Sequence, residues 1–104
     1  MEIKKAQKVI SKTYFERDAG RGLSKTFLWF VEEVGELAKA LRKGDKKSLK
    51  EEFADVLAWL LSVAEITGVD MEEAFVEKYG RGCPACSSSP CTCAPRLFAF
   101  GEER

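Results

Sequence analysis

The chain has 104 residues, 45% of them hydrophobic, which fits one compact domain whose core is small enough that oligomerisation would help. Seventeen Lys and Arg balance seventeen Asp and Glu, and this neutral total argues against a dedicated duplex-DNA binder, so nucleic acid is not an expected partner. His is absent, which removes His general bases, His metal ligands and the Glu-x-x-His pairs of di-iron bundles; any metal must be held by carboxylates or thiolates.

Met1-Glu2-Ile3-Lys4-Lys5 has no apolar stretch behind it, and no run approaches about eighteen apolar residues. A cytoplasmic protein with no membrane contact is therefore expected. Residues 2–19 read as a first helix, with Ile3, Ala6, Val9, Ile10, Thr13, Tyr14 and Arg17 on the helical period. Gly20-Arg21-Gly22 is expected to end it. A second helix runs from about Ser24, a plausible N-cap, to Lys43, with Phe27, Phe30, Val31, Val34, Leu37, Ala38 and Leu41 as a wide apolar stripe. Gly44 suits the C′ position.

A third helix starts near Asp45 or Ser48, where Ser48 and Glu51 fit a capping box, and continues through Val56 and Leu60 to Thr67. Gly68 stops it. Asp70 and Glu73 fit another capping box, opening a fourth helix from Met71 to Tyr79. Residues 1–80 thus form an all-α domain, and Gly80-Arg81-Gly82 marks the boundary to a Cys-rich tail over 81–104, whose last nine residues are apolar, with Leu97, Phe98 and Phe100, and then acidic.

Glu32-Glu33-Val34-Gly35-Glu36 lies mid-way along the second helix, and Glu52-Phe53-Ala54-Asp55 in the first half of the third. Residues three apart share a helix face, so Glu33 with Glu36 and Glu52 with Asp55 make two acidic pairs. Both pairs flank the apolar stripe of their helix. If the helices are antiparallel neighbours, the four carboxylates can converge. Without a counter-charge they would repel, and a hard cation resolves this. Carboxylates without His or thiolate select Mg²⁺ or Mn²⁺ over Zn²⁺. The plainer alternative is a solvated acidic face laced with Lys46 and Lys47.

Trp29 is four residues before Glu33, and Trp59 four after Asp55. Each is a candidate platform for a base, with core packing as the alternative. Gly35 costs its helix about 1 kcal/mol against Ala, and close approach of a neighbouring helix is the expected compensation.

The motif Glu32-Glu33-Val34-Gly35-Glu36-Leu37-Ala38 followed by Glu52-Phe53-Ala54-Asp55-Val56-Leu57 resembles the MazG-like nucleotide pyrophosphohydrolase superfamily. The likeness covers residues 1–79. It implies an all-α bundle, completed as a homodimer or tetramer. It also implies Mg²⁺-dependent hydrolysis of nucleoside triphosphates to the monophosphate and pyrophosphate, often as house-cleaning. By motif position Glu33, Glu36, Glu52 and Asp55 would be the Mg²⁺ ligands. Glu32 would be a further acid that binds a second metal or orients water. Lys78 matches a family Lys that contacts phosphate, and Arg81, with Lys25 or Arg42, would help hold pyrophosphate. The chain departs from the pattern after Lys78, where Gly80-Arg81-Gly82 and the Cys cluster replace the usual basic or Asn-containing stretch.

Cys83-Pro84-Ala85-Cys86 and Cys91-Thr92-Cys93 place four thiols within eleven residues. In a reducing compartment they read as a metal site, with Zn²⁺ the first candidate and an iron–sulfur cluster or redox chemistry the others. With no open position such a site is structural. It also supports a rival function: a zinc knuckle with Arg81, Arg96 and Phe98 could bind nucleic acid or protein, the helices serving as a dimerisation scaffold.

Overall fold

The computed structural model describes residues 1–95, so Arg96 and Phe98 of the knuckle reading, and the rest of the tail, lie outside the described residues. Four helices follow one another: α1 Ile3–Arg21, α2 Leu23–Lys43, α3 Lys46–Thr67 and α4 Met71–Tyr79. Among the described residues there is no strand. The chain divides into two units, Met1–Glu72 and Glu73–Arg104.

In the first unit α2 packs most extensively on α3, and α1 lies mainly on α3. The link between α2 and α3 is only Gly44-Asp45, which folds the chain back into a helical hairpin. Gly44 takes the left-handed conformation (φ 74°) that a C′ residue needs, and its N–H donates to the Ala40 carbonyl. Gly68 closes α3 in the same way at φ 73°.

The helix starts differ from the sequence reading. Ser24 is not the N-cap of α2. Only Gly22 separates α1 from α2, so Gly22 itself occupies the cap, without a side-chain bond. Nor do Ser48 and Glu51 form a capping box at α3. Asp45 caps that helix, accepting from the Ser48 hydroxyl at 2.6 Å and, weakly, from its amide at 3.4 Å. These bonds hold the Asp45 carboxyl below its ordinary range. The compensation expected at Gly35 is also missing, because a Cβ added there would meet nothing within 4 Å among the described residues.

The hydrophobic core is small: among the described residues Ala40, Leu61 and Ala64 are its buried members. Much of the apolar stripe remains exposed, including Phe27, Val31, Val34 and Leu41 on α2, as do the neighbouring Leu28 and, on α3, Phe53 and Leu57. By helical spacing Gly35 shares a face with Leu28 and Val31.

Gln7 supplies a polar fastening. It is buried, its amide nitrogen donates to the Val69 carbonyl at 2.8 Å, and its amide oxygen accepts from the Met71 N–H at 2.9 Å. One side chain on α1 thereby satisfies two backbone groups of the turn after α3. Lys4 adds an exposed ion pair to Asp70 at 3.3 Å, which contributes little by itself. Gln7→Ala strands both backbone groups and is expected to cost about 1–3 kcal/mol in urea unfolding; an unchanged midpoint would contradict the fastening.

Candidate active site

The acidic pairs are set by helix geometry. Glu33 sits at the centre of α2, and Glu52 and Asp55 one turn apart on α3. Folding the hairpin brings these three together, with one carboxylate oxygen of each lying within 4.8 Å of the others. Glu33 and Glu52 are half-buried and Asp55 is exposed. Among the described residues no Lys or Arg pairs with any of the three; the ion pairs present are Lys4–Asp70 and Arg21–Asp18. One oxygen of Glu52, Oε2, is buried with no hydrogen-bond partner among the described residues.

The electrostatic consequence falls on Glu33. Its carboxyl is pushed above the ordinary range, first by loss of solvent at the helix seam and then by the charges of Asp55, Glu52, Glu36 and Glu32. Glu36 and Glu32 are therefore close enough to act on Glu33, although both stand outside the converging trio.

Beside the trio, α1 and α3 enclose a cleft of about 300 Å³ lined by Tyr14, Arg17, Asp18, Arg21, Asp55, Ala58, Trp59 and Ser62. Asp55 belongs to both the trio and the cleft. Trp59 forms one wall. Trp29 stacks on it with ring centroids 6.1 Å apart, and the Arg21 guanidinium lies over its ring at 5.1 Å. Arg21 also donates to Asp18 Oδ1 at 2.9 Å and to the Thr26 hydroxyl at 3.3 Å, tying the end of α1 to the start of α2.

The MazG nucleotide pyrophosphohydrolase domain model matches residues 21–87, more than half of the chain. The chain belongs to this family. Its members are nucleotide pyrophosphohydrolases that typically use a divalent metal, and both this acidic trio and the cysteine group described next can hold a metal ion. No curated protein matches the chain.

The match takes in Lys78 and part of the Cys-rich segment, which fall in the second unit of this MazG protein. There Lys78 lies over the Tyr79 ring at 5.5 Å, and Arg81 is exposed. The Sγ atoms of Cys83, Cys86, Cys91 and Cys93 all lie within 4.8 Å of one another, with Cys83–Cys93 at 3.7 Å and Cys86–Cys91 at 3.9 Å. All four are free thiols. Backbone N–H groups of Thr92 and Cys93 point at the sulfurs of Cys86 and Cys91, at 3.3 and 3.4 Å.

Bonds from Thr92 draw the Cys86 thiol down to about 5, and backbone donors at Cys86 and Ala85 lower Cys83. Cys93 is pushed up to about 12 by its sulfur neighbours, Cys91 first. Gly82 shapes the loop. It has φ 103°, and a Cβ there would stand 2.6 Å from the Ser88 carbonyl oxygen, which accepts from the Cys83 N–H.

Nothing in the sequence marks Asp18, Arg21 and Tyr14 as site residues; packing between α1 and α3 places them in one cleft with Trp59. Lys25 and Arg42 are exposed.

A raised Glu33 means that the folded state holds its proton more tightly than the unfolded chain does. Stability from this group is present below the ordinary carboxylate value and is lost as pH rises through the raised one. Glu33→Gln is therefore expected to raise the melting temperature of metal-free protein by a few degrees at pH 7 and to change it less at pH 4. A lower melting temperature at pH 7 would contradict the crowding.

Proposed function

We propose that the protein is a Mg²⁺-dependent nucleoside triphosphate pyrophosphohydrolase, converting an NTP or dNTP and water to the monophosphate and pyrophosphate, with a house-cleaning role in the nucleotide pool. The observation that carries this is the convergence of Glu33, Glu52 and Asp55 from two helices with no cationic partner among the described residues. The orphaned Glu52 Oε2 fits a cation, since a buried carboxylate oxygen without a donor is otherwise costly. An all-oxygen donor set suits Mg²⁺ or Mn²⁺.

Glu33, Glu52 and Asp55 would hold the ion, with Glu36 completing the set from the next turn of α2. When bound, Mg²⁺ supplies charge neutralisation at the phosphate oxygens. Glu32 serves as the base: it takes a proton from the attacking water as the water oxygen bonds to phosphorus. The P–O bond between the α- and β-phosphates breaks, and pyrophosphate leaves with the bonding electron pair. Trp29 and Trp59 line the base side. On the sequence alone, Lys78 and Arg81 carry the phosphate-side role.

The four thiols suit a structural Zn²⁺. Tetrahedral coordination at Zn–S distances of about 2.3 Å puts neighbouring sulfurs ~3.8 Å apart, and the Cys83–Cys93 and Cys86–Cys91 pairs stand at 3.7 and 3.9 Å. A disulfide would need ~2.05 Å. Free thiols in such a cluster accord with a reducing, cytoplasmic setting, and no helix among the described residues is long and apolar enough to cross a membrane. The exposed apolar stripes of α2 and α3, and the open face at Gly35, support a homodimer or tetramer.

Incubation with NTPs and Mg²⁺ is expected to release pyrophosphate, not orthophosphate. Asp55→Ala should lower turnover by more than about 100-fold, beyond the loss typical of outer-shell changes, while the helical signal stays. Full activity in that variant, or orthophosphate as the product, would overturn the assignment. Native mass spectrometry should give a multiple of the 11.6 kDa chain with one zinc per chain; a zinc-free monomer would contradict both the knuckle and the assembly.

A further inference from the structure

The cleft beside the carboxylates contains a feature that metal binding does not use. Asp18, in the last turn of α1, is 2% exposed. Its Oδ1 accepts from Arg21, but its Oδ2 has no hydrogen-bond partner among the described residues. Buried polar atoms in native proteins seldom stay unpaired, and this one belongs to a residue that lines an open cavity of about 300 Å³. The fixed Arg21 guanidinium, held by Asp18 and Thr26 and lying over Trp59, keeps the carboxylate in place.

The opposite wall comes from α3. Asp55, Trp59 and Ser62 recur at i, i+4 and i+7, so they line one face of that helix, and Tyr14 lies one turn before Asp18 on α1. The cavity therefore has aromatic walls, a buried acceptor, and a rim at Asp55 where the acidic trio begins.

We propose that this cleft is the nucleobase pocket and that Asp18 selects bases presenting an exocyclic amino group, the 4-aminopyrimidines and 6-aminopurines, over their oxo counterparts. The assignment rests on the pyrophosphohydrolase reading for the position of the triphosphate, which Asp55 places at the mouth of the cleft. An ionised carboxylate offers only acceptors. An amino group donates to the free Oδ2, whereas a carbonyl at the same place sets lone pair against lone pair. Rejection by an unpaired buried group is the stronger form of base discrimination.

Asn at position 18 keeps the shape of Asp and one acceptor, and presents an amide N–H₂. If the Oδ atom stays on Arg21, Asp18→Asn turns a donor into the cleft, and the preference inverts.

The test is equilibrium binding, followed by tryptophan fluorescence, of the α,β-methylene analogues of CTP, UTP, ATP and ITP to the full chain with Mg²⁺. The expected result is about tenfold or greater preference for CTP over UTP and for ATP over ITP, the size of one charge-assisted hydrogen bond, with reversal in Asp18→Asn. The ranking of the four analogues on the unaltered protein decides the matter if that variant fails to fold. Equal affinities within both pairs, or no binding of any analogue, would overturn the proposal. Clear base preference without pyrophosphate release from the natural nucleotides would support the pocket and sink the hydrolase reading. Release without preference would leave the hydrolase standing and remove Asp18 from selection.

Discussion

Like charges held together at a helix seam are the constraint from which the functional reading follows. Glu33, Glu52 and Asp55 meet across α2 and α3 with no Lys or Arg against them among the described residues. The raised Glu33 carboxyl and the unpartnered Glu52 oxygen are two expressions of the same unmet demand for positive charge. A fold that keeps such repulsion gives up stability in its metal-free form. What it retains is a ready set of hard oxygen donors, held on rigid helices whose spacing does not depend on loops.

That trade explains the arrangement of the rest of the first unit. The two-residue turn between α2 and α3 makes the hairpin tight, Asp45 and Gly44 fix its ends, and Gln7 fastens α1 to the turn after α3. With few side chains fully buried, these polar and capping contacts carry a larger share of the order than they would in a bigger domain. The Cys-rich segment of the second unit reaches order by a different route. There four thiols and a glycine with positive φ form a local cluster that needs little apolar surface.

The acidic motif was legible because it is local. Spacings of three within a helix, and a short link between two helices, suffice to predict that acidic side chains converge, but the same spacing also puts Glu36 among them, and it stands outside the trio of Glu33, Glu52 and Asp55. The four helices were legible for the same reason, and the glycine stops at 44 and 68 followed from backbone freedom that other residues lack. Helix starts were less so: Ser24 looks like a cap until a one-residue link puts Gly22 there, and Ser48 looks like one until Asp45 reaches it from three residues back. Gly35 misled because a glycine in a helix does not reveal whether a neighbour is close. Asp18 and Arg21 read as the end of a helix, since their burial depends on α3 packing against α1, a contact between residues about forty apart in sequence. Gln7 was equally silent, its role depending on Val69 and Met71.

Family membership and the acidic trio point to the same chemistry, one through the sequence pattern of residues 21–87 and the other through the positions of three side chains within it. The claim that joins them is that the α2–α3 seam is a cation site. A titration with Mn²⁺ followed by electron paramagnetic resonance tests it most directly. Saturable binding at whole-number stoichiometry, displaced by Mg²⁺ and lost when Glu52 and Asp55 are changed together to Gln and Asn, is the predicted result. Binding that survives the double substitution, or free Mn²⁺ throughout, would contradict the account.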